Sequence, residues 1–302
     1  MIRKIASACL FLAASAQAAP QQKVDLLWDH FASEVADVEK GLDGVIGVAM
    51  LDLASGRTFL LHPDEVFPQA SSIKITVLAE LYRQSEQGRL RLADPYVVQA
   101  SDIVQDSDIM GGLTPGVTTL TNRDLATMMV AVSDNAATNV LIDKVGMDNV
   151  KAMLDGQGLR ETRLRRKMMD LKAAGEGREN VSTPREMMTL LERLYRGKIL
   201  GASKDDFFTM LATHKTSWIA RPLPEGSKVA DKPGELEGVR ADSGVVFLEN
   251  RPYVICVMTT YLVRERDGEE AIARISGAAW RLFDRLARGS DYGRVISVSN
   301  GH

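Results

Sequence analysis

The chain has 302 residues, 45% of them apolar and 25% charged, with a formal net charge of −3. That balance belongs to a water-soluble globular protein of one compound domain or two intimate ones. The small negative charge offers nothing to nucleic acid or to an anionic membrane.

At the start, Arg3 and Lys4 precede a short apolar run and the small-residue stretch Ala16-Gln17-Ala18. This pattern predicts a cleaved secretory signal over residues 1–18, a periplasmic mature protein and no membrane span. Cys9 lies inside the apolar run, too early for a lipid-bearing cysteine. Cleavage leaves Cys256 alone, so core packing rather than a disulfide must hold the exported fold.

Apolar residues at Val24, Leu27, Trp28, Phe31, Val35 and Val38 recur at helical spacing and predict a first amphipathic helix. The stretch GVIGVAMLDLASGRTFLLH then reads as two strands about the turn Ala54-Ser55-Gly56-Arg57. From Pro68 to Arg196 the pattern is helical, with loops at DSDIMGGLTPG and KAAGEGRENVSTP. Strand character returns in SKVADK, SGVVFLEN and RPYVICVMTTYL, and a last helix presents Ile272, Ile275, Leu282, Phe283 and Leu286 on one side.

Strands at both ends therefore bracket a helical middle. The economical fold is α/β in the α+β sense: an antiparallel sheet of about five strands, flanked by the terminal helices, with an all-helical domain inserted. The expected boundaries are 19–67 with 214–302 for the discontinuous α/β domain and 68–213 for the helical domain. A cleft between the two is the expected place for a site.

Within FPQASSIKITVLAEL, a helix opening after Pro68 is apolar nearly all round, which predicts burial. Lys74 sits one turn inside it, and a buried ammonium is costly without compensation. Ser71, three residues before, shares its helix face. That pair suits a nucleophile and its base.

Ser-x-x-Lys alone is weak, but two further motifs follow. Ser133-Asp134-Asn135 interrupts two helical segments, where by itself it reads as a helix cap. Lys232 ends a strand before Pro233-Gly234, which by itself reads as an ordinary turn. The four histidines (His30, His62, His214 and His302) are scattered without paired spacing, so neither metal nor cofactor is expected.

Taken together and in this order, the three motifs resemble those of the class A serine β-lactamases and related penicillin-binding proteins. The likeness extends through LATMMVAVSDNAATNVLIDKVG, TRLRR and LPEGSKVADKPG, nearly the whole mature chain. It implies a Ser71 nucleophile that forms an acyl-enzyme, Lys74 as its base or proton relay, and Ser133 as donor to the leaving nitrogen. It also implies that Asn135 holds the substrate's acylamido side chain and that Lys232 supplies positive charge near the substrate carboxylate. The amides of Ser71 and Glu235, the latter just past Gly234, would form the oxyanion hole.

Two departures follow from the same likeness. Pro233 stands where the family carries a hydroxyl residue, so the carboxylate needs another anchor, with Arg240 preferred and Arg221 the alternative. Met168 and Lys172 stand where class A enzymes carry the loop glutamate and asparagine that hold the deacylating water. Asp170 is the nearest carboxylate and Glu176 lies further along, while Glu179 is expected to staple the loop to Arg166. The resemblance thus implies a monomeric periplasmic enzyme opening β-lactams, with slow deacylation. The alternatives are a D,D-peptidase acting on peptidoglycan stem peptides and a non-catalytic cell-wall binding protein.

Overall fold

A computed structural model describes residues 19–290 and 292–295; the expected signal segment and Cys9 lie outside them. Helix α1 (Ala19–Gly41) leads into β1 (Val45–Asp52) and β2 (Thr58–Leu61). A two-residue strand, β3 (Phe67–Pro68), precedes a single 3-10 turn over Ala70–Ile73, which runs into α2 (Lys74–Glu86). The helix therefore opens later than its apolar pattern suggests, and Ser71 sits in the tighter turn before it.

The middle of the chain holds a small ribbon of β4 (Pro95–Val97) and β5 (Thr119–Thr121), then α3 (Asn122–Ala131), α4 (Asn135–Val145) and α5 (Met147–Gly156). Next come α6 (Leu171–Gly175), β6 (Val181–Ser182), α7 (Pro184–Tyr195) and α8 (Lys204–Leu211). Strands β7 (Val229–Leu236), β8 (Val239–Val246) and β9 (Tyr253–Thr260) lead to α9 (Glu265–Arg288).

The sheet order is β2-β1-β9-β8-β7, antiparallel throughout, so strands from both chain ends interleave as the hydrophobic pattern requires. Side chains alternate between its faces. Ile46, Val48 and Met50 of β1 join Trp28 and Phe31 of α1 and Ile272, Ile275 and Phe283 of α9 in one core, with Leu286 packed at its edge. Ala49 and Leu51 join the second core with α2 and with Met187, Leu190 and Leu194 of α7. Helix α7 thus lies on the sheet, although its sequence position falls within the predicted helical insert.

Strand β7 corrects one expectation. The sequence reads Pro233-Gly234 as a turn, yet β7 runs through both to Leu236, with Lys232 paired to Ser243 and Pro233 to Asp242. A proline is tolerated there because β7 is an edge strand with one side unpaired.

Candidate active site

Three segments converge at the free edge of β7: the Ser71 turn, the junction of α3 with α4, and Lys232. Close backbone approach makes this possible. A Cβ on Gly234 would lie 2.4 Å from the Gln69 carbonyl oxygen and 3.0 Å from the Ser71 nitrogen, so only glycine lets β7 pass the turn. The Ser72 hydroxyl ties the two together by donating to the Lys232 carbonyl oxygen. Glu235 follows Gly234 and lines the same cleft.

Ser133 is delivered by strain and a cap. Its φ is +59°, a left-handed conformation unusual outside glycine and asparagine. Buried Asp134 makes the geometry worthwhile: one oxygen accepts the Ala137 N–H to cap α4, and the other accepts the Ile109 and Met110 amides of the facing loop. The capping reading of Ser-Asp-Asn and the functional one are therefore the same structure.

The side chains form a closed network. Lys74 Nζ donates to the Ser133 carbonyl oxygen at 2.5 Å, to Ser133 Oγ at 3.0 Å and to Asn135 Oδ1 at 2.9 Å. Lys232 Nζ donates to the same Ser133 Oγ at 3.2 Å, and Ser133 Oγ donates to Ser71 Oγ at 2.8 Å. While both lysines are protonated, the two lone pairs of the Ser133 hydroxyl are engaged and its single hydrogen points at Ser71; once Lys74 is neutral its lone pair can accept that hydrogen instead.

Electrostatics follow from that convergence. Burial holds the Lys74 ammonium well below the ordinary lysine pKa, and the charge of Lys232 adds to the effect against the pull of Asp134. Burial, helped by Lys215, lowers Lys232 to about 8 against the opposing pull of Asp242, Asp231 and Glu235. One lysine is poised to accept a proton, and the other still carries much of its charge near neutrality.

The cleft has a volume of about 340 Å³ and opens onto Ser71, Ser133 and Lys232. Asp108 and Val132 line it from the helical side, and Lys215, Thr216, Pro233 and Glu235 from the sheet side. Sequence reasoning did not single out Asp108, Lys215 or Thr216. Each sits in a loop without a motif, and only the fold carries it to the cleft. The Lys215 ammonium is already engaged, by the carbonyls of Leu211 and Thr213 at 2.7 and 2.8 Å and by Asp231 at 3.4 Å.

Ser71, Lys74, Ser133, Asn135, Lys232, Gly234 and Glu235 are thus brought together, but three other nominated residues stand elsewhere. Arg240 projects toward α9, where its Nε donates to Glu269 at 3.0 Å, and Arg221 pairs with Glu270 at 3.0 Å. Arg240, paired with Glu235 across the β7–β8 ladder, is not among the residues that line the cleft. Asp170 is exposed and caps α6 by accepting the Ala173 N–H at 3.0 Å.

The loop before α6 is held without a carboxylate near Ser71. Met168 is 7% exposed and packs into the helical core, and its backbone N–H and C=O are both gripped by the Asn139 amide at 2.8 and 3.0 Å. Lys172 is exposed, and Glu176 pairs with Arg178 at 2.6 Å on the surface. Glu179 meets Arg166 at 2.9 Å, the staple that the sequence suggests.

Comparison with known proteins accords with this geometry. Residues 30–283 match the model of the β-lactamase enzyme family. The β-lactamase SME-1 of Serratia marcescens is 28% identical, over 85% of this chain and 90% of its own. A β-lactamase structure from Sphaerobacter thermophilus aligns at 32% identity with a TM-score of 0.78, covering 85% of this chain and 97% of the other. A mutant of PBP-A solved as its acyl-enzyme with penicillin G aligns at 25% identity with a TM-score of 0.78, covering 86% and 98%. With a matched fold and a Ser-Lys-Ser network in its cleft, this chain belongs to the β-lactamase enzyme family, as a serine hydrolase of the class A type.

Proposed function

We propose that this protein is a periplasmic serine acyl-hydrolase that opens β-lactam rings through a Ser71 acyl-enzyme and releases the product slowly. The observation that carries the proposal is the hydrogen-bonded path from Ser71 Oγ through Ser133 Oγ to Lys74 Nζ, together with a loop that offers no carboxylate to the cleft. Ser71 Oγ attacks the lactam carbonyl carbon while its proton passes by way of Ser133 to neutral Lys74. The carbonyl π electrons move to oxygen, toward the Ser71 and Glu235 amides. As the tetrahedral species collapses, the C–N bond breaks, and the leaving nitrogen takes the Ser133 proton, which Lys74 replaces. Lys232 faces the substrate carboxylate, and Asn135 faces its side-chain amide.

Hydrolysis of the ester then needs an activated water. Without a positioned base it loses roughly 10² to 10⁴ in rate. The periplasmic assignment rests on the signal-like residues 1–18, and N-terminal sequencing of the exported protein tests it.

A second reading, a D,D-peptidase, is favoured by the same missing carboxylate and by the likeness to PBP-A. Incubating the mature protein with a penicillin and with a peptide ending in D-Ala-D-Ala, while following product and intact mass, separates the two. Lactam turnover with a transient single adduct supports the first. Release of D-alanine with a persistent penicillin adduct supports the second, and no adduct with either compound removes both.

A further inference from the structure

Successive side chains of a strand point to opposite faces, so Asp231 lies on the side of β7 away from Lys232 and the cleft. Gly244 stands opposite Asp231 in the β7–β8 ladder, which makes Asp242, two residues earlier, its diagonal neighbour on the same face. A Cβ on Gly244 would lie 2.5 Å from Asp231 Cβ, so only glycine leaves that side chain its place. Both carboxyls are sealed, Asp231 at 1% exposure and Asp242 at 0%. The Ser217 hydroxyl donates to Asp231 Oδ2 and lies 3.5 Å from Asp242 Oδ2, which also accepts the Trp218 and Ile219 amides at 3.1 Å.

The two carboxyls are hydrogen-bond partners of each other, and buried Asp242 Oδ1 has no donor of its own among the described residues. Two bare carboxylates have no hydrogen to place between them, so this contact requires a proton. Burial, and after it the charge of Asp231, hold the Asp242 carboxyl well above the ordinary carboxylate range against the pull of the Ile219 amide and Lys215. The groups facing the pair and Lys232 come from four elements. Lys215, in the loop after α8, meets Asp231 Oδ1 at 3.4 Å, and exposed His214 precedes it. Glu235 shares β7, Lys74 faces Lys232 from α2, and the Cys256 thiol of β9 is kept neutral by burial, which pushes it up to about 12.

We infer that Asp231 and Asp242 share one proton, present a single negative charge behind β7, and serve as the counter-charge that keeps Lys232 an ammonium in the cleft. They are positioning residues that act through Lys232, since both pull against the burial that lowers it. Sharing has a particular consequence. Removing either carboxyl leaves the other to carry the whole charge, whereas removing both strips Lys232 and Lys215 of their counter-charge.

The test uses Asp231→Asn, Asp242→Asn and the double variant, with Tm and circular dichroism to check the fold. Its kinetic readout rests on the acyl-serine reading above; its infrared readout does not. The pH profile of penicillin acylation should keep its falling limb, near the Lys232 value of about 8, in each single variant. In the double variant that limb should move down by about one pH unit or more. Near neutral pH, wild type should show the infrared carbonyl band of a buried protonated carboxyl, and each single variant should lose it.

Equal shifts in both single variants that add in the double, or no protonated-carboxyl band in wild type, would mean two independent charges and overturn the inference. A folded double variant with the wild-type limb would remove the counter-charge role. Should the double variant fail to fold, the single variants and the infrared bands still decide. Absence of any acylation by wild type overturns the acyl-serine reading, while the infrared comparison continues to test the shared proton.

Discussion

Ser133 Oγ lies 2.8 Å from Ser71 Oγ and donates its only hydrogen to it, while the ammonium groups of Lys74 and Lys232 fill both of its lone pairs. The proposed proton route from Ser71 to Lys74 runs through this second serine, with both hydrogen bonds reversed once Lys74 is neutral. Ser71→Ala should abolish the penicillin adduct, and peptide mapping of the wild type should find that adduct on Ser71. Lys74→Ala and Ser133→Ala should each slow acylation by roughly 10² to 10⁴, the range for a removed general base. Stopped-flow acylation rates check this, and near-wild-type rates in Ser133→Ala would show that the proton takes another path.

The two lysines also set the pH profile. Acylation should rise as Lys74 loses its proton and fall as Lys232 loses its charge, with the falling limb near the Lys232 value of about 8. Lys232→Arg should move that limb up beyond the measurable range, since arginine stays protonated. Stability carries the opposite sign. The unfolded lysine binds its proton up to about 10.4, so between about 8 and that value the unfolded state holds more protons. Stability from this group therefore increases as pH rises through that window, where denaturant midpoints read it.

The proposed slow release would follow from the apolar, buried Met168 in the loop. Product should appear as a burst close to one equivalent, followed by a slow steady rate. Because Asp170 only caps α6, Asp170→Asn should leave both phases unchanged, whereas Asp170→Ala should cost about 1 kcal/mol of stability. Met168→Glu with Lys172→Asn should raise the steady rate while lowering Tm, since a carboxylate replaces an apolar side chain in the core. Fast wild-type hydrolysis without a burst would mean that another group activates the water.

With Arg240 paired to Glu269 and Arg221 to Glu270, the proposed anchor for the substrate carboxylate is Lys232. Arg240→Ala should leave KM for penicillins unchanged and lower stability by about 1 kcal/mol through loss of its bond to Glu269. Pro233→Thr restores a hydroxyl at the β7 edge and should lower KM. A raised KM in Arg240→Ala would mean that the arginine leaves Glu269 when substrate binds.

Gly234→Ala is the severest small change expected in the site. Its methyl group would stand 2.4 Å from the Gln69 carbonyl and 3.0 Å from the Ser71 nitrogen, so β7 must move away from Ser71. Acylation should fall at least as far as in Lys74→Ala while circular dichroism stays native. A rate within about tenfold of wild type would show that the strand shifts without disturbing the oxyanion amides.

The sequence by itself determined the large organisation and most of the side chains that meet at the cleft. Period-2 and period-3.6 apolar patterns are local and strong, so the strands at both ends, the helical middle and the terminal helices were legible. Ser71, Lys74, Ser133, Asn135 and Lys232 were legible too, because short motifs hold each at a fixed offset from a helix start or strand, and the backbone of that element aims the side chain. What the tertiary structure decided are the matters no offset controls. Pro233-Gly234 reads locally as a turn, and only the edge position of β7 lets it remain strand. Arg240 reads as a free cation until Glu269 of α9, which no sequence pattern places beside it, takes its charge. Asp170 reads as a spare carboxylate, but a helix start closer than Ser71 claims it. Asp108, in a loop, carries no signal at all, and only the folded chain brings it to the cleft. Long-range partners decide such residues because a charge or a backbone amide pairs with whatever the folded chain brings within hydrogen-bonding reach, and sequence spacing does not encode that.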